Sequence, residues 1–303
     1  MSSAFVLTGG GSLGAVQVGM LLALRDCRVE PDLFVGTSVG AVNAAHLAGP
    51  GSVDARLETL VRLWQRMRRQ DIFAVDPRRW FGVACGTQPS LFAGTGLDHL
   101  LQTNLGYDDL EDARVPVEVT ATDVVTGEGI VVDSGPAVSA VRASAAVPGL
   151  LPPVVRQGRM LVDGAIGELD VLAHAAAYGV TDVYLLPAGY PCAGAAPTTA
   201  LGSVLTALSL LLHRQFLAQV RGYVGDAQLH VLPPLCPLSV SPADFSQTTA
   251  LVARAHQSAL RWLRSSSSRP RDDAGVLALH DHDGHRPGKE QTHEPVTGNG
   301  RTS

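Results

Sequence analysis

Three segments of the 303-residue chain carry side chains and backbone that could do acyl-transfer chemistry. The first is Gly36-Thr37-Ser38-Val39-Gly40, a G-x-S-x-G pentapeptide placed between a short apolar run and a helix-like run. In that context the serine sits on a sharp strand-to-helix turn with its hydroxyl exposed as a nucleophile, and the helix N-terminus points at developing negative charge. The second is Gly9-Gly10-Gly11, which also closes a strand and opens a helix. It offers backbone N–H groups unobstructed by side chains, as an oxyanion hole requires. The third is Asp163-Gly164-Ala165, after another short strand, whose carboxylate could serve as a base. Each segment taken alone also fits an ordinary turn.

Two other chemistries fit parts of the same pattern. Gly9-x-Gly11-x-x-Gly14 is the dinucleotide-binding fingerprint, but the second strand ends in Val35-Gly36 rather than in an acid, and Asp32 precedes it. A Ser-His-Asp triad would need a late histidine, for which His230 and His256 are the candidates, whereas His46 and His174 fall on predicted helices as packing or solvent residues. A non-catalytic protein that keeps the fold and binds a membrane or a partner is a further alternative. The run His280-Asp281-His282-Asp283-Gly284-His285 has metal-capable side chains but reads as part of a solvated tail, so no metal site is expected.

The elements that must position these residues follow from apolar patterning. Strands are predicted at 4–7, 31–35, 160–162, 183–186 and 228–232, with a hairpin formed by 115–122 and 129–132. Helices are predicted at 13–25 and 39–48, an amphipathic one at 54–69 and an apolar one around 204–212. The amphipathic helix could cover the core or lie on an acidic bilayer. Strands alternating with helices imply an α/β domain with a central, largely parallel sheet. In such a sheet, two neighbouring strand-to-helix turns open on one cleft at the carboxyl edge.

Taken together, Gly9-Gly10-Gly11-x-x-Gly14, Gly36-x-Ser38-x-Gly40 and Asp163-Gly164-Ala165 resemble, in order and context, the oxyanion loop, elbow and aspartate of the patatin-like phospholipases. The stretch from Arg142 to Ala165, with Ala143-Ser144-Ala145-Ala146-Val147-Pro148-Gly149 and Pro152-Pro153, is similar to the family segment leading to its aspartate. The resemblance spans roughly residues 4–264. It implies a three-layer α/β/α domain and a Ser38–Asp163 dyad without histidine, with the amides of Gly9, Gly10 and Gly11 as oxyanion hole and Gly14, Gly36, Gly40 and Gly164 as motif glycines. It also implies a lipid or acyl-ester substrate, which can be presented at a membrane surface, and no cofactor. Two departures stand out: Leu13 replaces a common basic residue, and Ile166-Gly167-Glu168-Leu169-Asp170 lacks the Asn and Pro often found there.

Composition limits the rest. Charged residues make up 17%, and a net charge of −5 leaves no footprint for nucleic acid. Cys27, Cys85, Cys192 and Cys236 are too scattered for a metal site and read as reduced. No secretory leader or transmembrane run is visible, so a cytoplasmic protein, if anything peripheral to a membrane, is expected. Residues 1–264 are expected to form the catalytic domain and the Ser-, Pro- and His-rich 265–303 a disordered tail.

Overall fold

The computed structural model describes residues 2–189, 200–238, 240–265, 275 and 277. Eight strands form one sheet: β1 (Ser3–Leu7), β2 (Leu33–Gly36), β3 (Val117–Asp123), β4 (Gly129–Val132), β5 (Val154–Arg156), β6 (Arg159–Asp163), β7 (Asp182–Leu186) and β8 (Gln228–Val231). Their order is β5-β6-β3-β2-β1-β7-β8, with β4 paired to β3. The run β3-β2-β1-β7-β8 is parallel, while β4, β6 and β5 add antiparallel pairings at the β3 side.

Every residue of β1 is buried, because a central parallel strand is covered on both faces and needs an unbroken apolar run. Its alternate side chains enter two different cores. Phe5 and Leu7 pack with α1 (Gly14–Asp26), α2 (Val39–Ala48) and α3 (Val53–Arg66), as well as with α10 (Thr248–Ser265). The short α4 (Arg69–Ile72) and α6 (Thr95–Asn104) extend that side, α5 (Pro77–Ala84) sets Trp80 against Phe92 of the same core, and α7 (Ala137–Ser144) closes it over β3. Ala4 and Val6 face the other core, made with α8 (Val171–Ala176) and the end of α9 (Ala200–Gly222). Helices therefore cover both faces of a mostly parallel sheet, giving three α/β/α layers as expected.

Several details differ from the sequence reading. The amphipathic helix predicted to reach Arg69 stops at Arg66, because Met67 turns to an extended conformation (ψ 131°) and buries its side chain. The apolar residues Leu57, Leu60 and Trp64 of α3 are buried, so that face covers the core rather than a bilayer. Strand β5, too short for a periodic signal, and helices α4 to α8 and α10 went unassigned. Leu277, within the tail predicted from 265 onward, is buried in the core beside Val220 and Val231, and its carbonyl meets His213 Nε2 at 3.0 Å. Apart from Ser265, Gly275 and Leu277, that tail, including 280–285, lies outside the described residues, as does Cys192.

Candidate active site

Ser38 stands between β2 and α2 with φ 56° and ψ −123°, a backbone conformation that residues with a side chain rarely adopt. The turn is held by Thr37 N–H donating to the Leu7 carbonyl (2.9 Å) and by Gly40 and Ala41 N–H donating to Thr37 (2.8 Å) and Ser38 (2.9 Å). Both flanking glycines are needed for space. A β-carbon on Gly36 would lie 2.5 Å from the Ala41 α-carbon, and one on Gly40 would meet the backbone of β1. The start of α2 therefore packs straight onto β1 and aims its positive end at Ser38.

Asp163 reaches the same place through strand register. On β3, Val119 pairs with Gly36 and Ala121 with Asp163, so β2 and β6 flank β3 and their ends are offset along it by two residues, roughly 7 Å in the strand direction. The Asp163 backbone is pinned by its N–H donating to the Ala146 carbonyl (3.0 Å) and by Thr122 Oγ1 donating to its carbonyl (2.8 Å). A β-carbon on Gly164 would sit 2.3 Å from the Thr120 carbonyl oxygen, so the turn after Asp163 must pass against β3 without a side chain. The carboxyl is buried, and burial pushes its pKa up to about 6. A hydrogen bond with the Ser38 side chain and one from Ala165 N–H (2.9 Å) pull it back toward the usual range. The result is a carboxylate considerably more basic than an exposed one, with the serine hydroxyl as its side-chain partner.

The glycine loop crosses Ser38. A β-carbon on Gly9 would stand 3.1 Å from Ser38 Cβ, and one on Gly10 2.8 Å from the side chain of Ala188. Gly11 has φ 59° and presses against Pro242, whose carbonyl accepts from Ser12 N–H at 2.7 Å. Leu13 N–H donates back to Gly10 (3.2 Å), while the amides of Gly9, Gly10 and Gly11 donate to no protein group among the described residues. The same holds for Val39 N–H in the first turn of α2, a further unpaired donor beside Ser38 that the glycine pattern did not reveal. Gly14 packs against Val39 and Trp64, where a β-carbon would come within 2.5 Å of Val39 Cγ2. Leu13 is buried, so this position contributes packing and no positive charge.

Behind the loop lies a buried polar network. Gln17 Nε2 donates to the carbonyls of Thr8 and Leu186 (2.9 Å each), Asn43 Nδ2 donates to the Gly14 carbonyl (3.1 Å) and Gln17 Oε1 (2.9 Å), and Trp64 Nε1 donates to Asn43 Oδ1 (2.8 Å). Sequence reasoning missed this brace, and also missed Ser144, whose Oγ accepts from the Ser38 N–H at 2.9 Å.

The other candidates lie elsewhere. His230 is on β8, three strand positions and about 14 Å from β2, stacked on Tyr184 with Nε2 2.5 Å from Asp182 Oδ1. His256 pairs with Asp26 at 2.8 Å, at the end of α1 about 18 Å from its start at Gly14. His46 is buried against Thr59 (2.8 Å), with burial pushing its pKa down to about 4, and His174 pairs with Glu118 at 2.6 Å. Asp32 accepts from Ser3 N–H (2.7 Å) at the opposite edge of the sheet, away from the glycine loop it would have to serve in a dinucleotide site. Among the described residues no group of three His, Cys, Asp or Glu side chains is placed to hold a metal.

The sequence matches the family described as patatin-like phospholipase over residues 5–175, a span that holds all three motif segments. Patatin-like phospholipase domain-containing protein 7 of Rattus norvegicus is 30% identical over 165 residues, 53% of this chain and 12% of that protein. Lysophospholipase nte1 of Aspergillus terreus is 28% identical over 190 residues, 62% of this chain and 12% of that protein. An uncharacterized NTE family protein of Mycobacterium tuberculosis is 31% identical over 166 residues, 54% of this chain. The chain thus spans only 12 to 26% of the length of these relatives. The crystal structure of VipD from Legionella pneumophila resembles it with a TM-score of 0.43 at 14% identity, over 87% of this chain and 67% of that one.

Proposed function

The chain belongs to the patatin-like phospholipase family, and from that premise we propose that it is a lipid acyl hydrolase of phospholipase A or lysophospholipase type, with Ser38 as nucleophile and Asp163 as its base. The observation that carries this reading is the buried Asp163 carboxyl at the Ser38 turn, where burial raises its pKa to about 6 and the Ser38 side chain is near enough to lower it again. Ser38 Oγ attacks the acyl carbonyl carbon while its proton passes to Asp163. The tetrahedral oxyanion is received by the unpaired amides of Gly10 and Gly11, joined by those of Gly9 and Val39; each such donor is worth about 3 kcal/mol of barrier. Asp163 then returns the proton to the departing alcohol, leaving an acyl group on Ser38. Water, deprotonated by the same carboxylate, attacks that ester and releases the fatty acid and the free serine. No histidine takes part, and no cofactor is needed.

The edge beside Asp163 supports action at a lipid surface. The β3–β6 ladder continues past Leu161 through Val124 N–H donating to the Met160 carbonyl (2.9 Å), and Met160 pairs with Val155 on β5. Val124, Met160 and Val155 thus form one row across three strands, and with Val125 they are 45 to 82% exposed. Ile166, also exposed, lies in the turn that follows Asp163, its N–H donating to the Asp163 carbonyl. Among the described residues no helix is long and apolar enough to cross a membrane.

The test is fluorophosphonate labelling with peptide mapping, run with p-nitrophenyl esters and phospholipids as substrates. Label on Ser38, with activity lost on Ser38→Ala and Asp163→Asn, is expected; a Ser38→Ala protein of undiminished esterase activity refutes the reading. For the lipid surface, Val125→Asp with Met160→Asp should weaken sedimentation with phosphatidylcholine vesicles while hydrolysis of a soluble ester is retained. Unchanged sedimentation would remove that edge from the proposal.

A further inference from the structure

Ser144 is fully buried at the C-terminal end of α7, far in sequence from both reacting groups, yet it touches the backbone of Ser38 and of the turn after Asp163. Its Oγ accepts from the Ser38 N–H at 2.9 Å, its carbonyl accepts from the Gly164 N–H at 3.3 Å, and two residues on the Ala146 carbonyl accepts from the Asp163 N–H at 3.0 Å. Ser144 and Ala146 therefore hold the serine turn and the aspartate turn at once.

The Ser38 amide has no other partner among the described residues. With φ 56° it points out of the ladder that β2 makes with its neighbours, so a regular strand or helix bond cannot serve it. A buried N–H without an acceptor is costly, and the least costly relief is rotation of the turn toward ordinary φ values. Such a rotation would swing the Cα–Cβ bond of Ser38, and with it Oγ, away from Asp163. The surrounding Ala143, Ala145 and Ala146 have no side-chain acceptor to take over.

We infer that Ser144 is a positioning residue: its hydroxyl locks the amide of Ser38 in the strained conformation and so keeps Oγ aligned with Asp163 and with the glycine-loop amides. This rests on the reading of Ser38 as the nucleophile. Ser144 does not touch the substrate, and its effect is on the reactivity of another side chain.

The experiment compares the unaltered protein, Ser144→Ala, and Ser144→Thr, which restores the acceptor. Readouts are the fluorophosphonate labelling rate at Ser38, kcat and KM for a soluble p-nitrophenyl ester, the pH midpoint of kcat/KM and the thermal midpoint. Ser144→Ala is expected to slow labelling and kcat together, on the order of 10- to 100-fold, with KM little changed. Its pH midpoint should rise, because a loosened Ser38 hydroxyl no longer favours the ionised carboxylate. Ser144→Thr should recover a large part of the loss. Should the threonine variant fail to fold, the alanine variant decides: labelling at the unaltered rate with an unmoved pH midpoint overturns the proposal, whatever happens to the thermal midpoint. Absence of label on Ser38 in the unaltered protein would instead defeat the nucleophile reading, and this proposal with it.

Discussion

A β-carbon on Gly40 would stand 2.2 Å from the carbonyl oxygen of Leu7, so α2 and β1 meet backbone to backbone beneath Ser38. Neither partner can yield, because Leu7 is paired with both Gly36 and Leu186 in the middle of the sheet. Gly40→Ala should therefore destabilise the fold by more than about 3 kcal/mol, beyond the common cost of overpacking by one methyl. Urea denaturation followed by circular dichroism measures this; a variant with the wild-type midpoint would show that α2 can slide.

Asp163 makes activity and stability move in opposite directions with pH. As the proposed base, Asp163 must be ionised, so kcat/KM should rise through pH 6 and level off above it. Folding shows the reverse. The folded pKa of about 6 exceeds the ordinary value of 3.8, so the folded chain binds the proton more tightly than the unfolded chain. Full stability is present below about pH 4 as far as this group is concerned, and it declines as pH rises to 6. At pH 8 Asp163→Asn should be the more stable protein by on the order of 2 to 3 kcal/mol, a gap that closes toward pH 4. Thermal melts of both proteins across that range provide the check, and a gap independent of pH would contradict it.

The parts of this site that could be read from sequence are those in which backbone geometry dictates residue type. Gly36 and Gly40 flank Ser38 because two chain segments touch there, and Gly164 follows Asp163 for the same reason, so local composition carries the information. Ser144 could not be recognised in this way, because a buried serine in an alanine-rich helix looks like any small residue until the β3 register brings Ser38 and Asp163 beside it. Gln17 and Asn43 were hidden similarly, since each interrupts an apolar helix pattern and acquires meaning only when α1 and α2 pack together. The break at Met67 depended on burial that the helical spacing of apolar residues in 54–69 did not encode.

The histidines supply a further prediction. His256 forms a largely exposed pair with Asp26, worth less than about 1 kcal/mol, so His256→Ala should leave both stability and activity nearly unchanged. His230 is buried against Tyr184 and Asp182, and His230→Ala should cost about 2 to 4 kcal/mol of stability through lost packing and a carboxylate left with Thr181 Oγ1 as its remaining side-chain donor. Activity per folded molecule should still be retained. Active-site titration with fluorophosphonate separates folded fraction from turnover, and a folded but inactive histidine variant would restore the triad as the mechanism.

The Gln17–Asn43–Trp64 network predicts a coupled loss of stability and rate. Asn43→Ala removes the acceptor of Trp64 Nε1 and one partner of Gln17 Oε1, and it frees the Gly14 carbonyl, all in a buried setting. The expected cost is about 2 to 5 kcal/mol, since unpaired buried groups rather than the lost bonds themselves set the penalty. Gln17 also ties the Thr8 carbonyl to Leu186, so loosening it lets the start of the glycine loop drift relative to Ser38. Gln17→Leu, close in volume, should therefore lower kcat by roughly the share of one or two oxyanion donors, about 10²-fold, in protein that remains folded. Circular dichroism and ester hydrolysis on the same preparations distinguish the two effects. A Gln17→Leu protein with full turnover would mean that the loop holds its place without the brace.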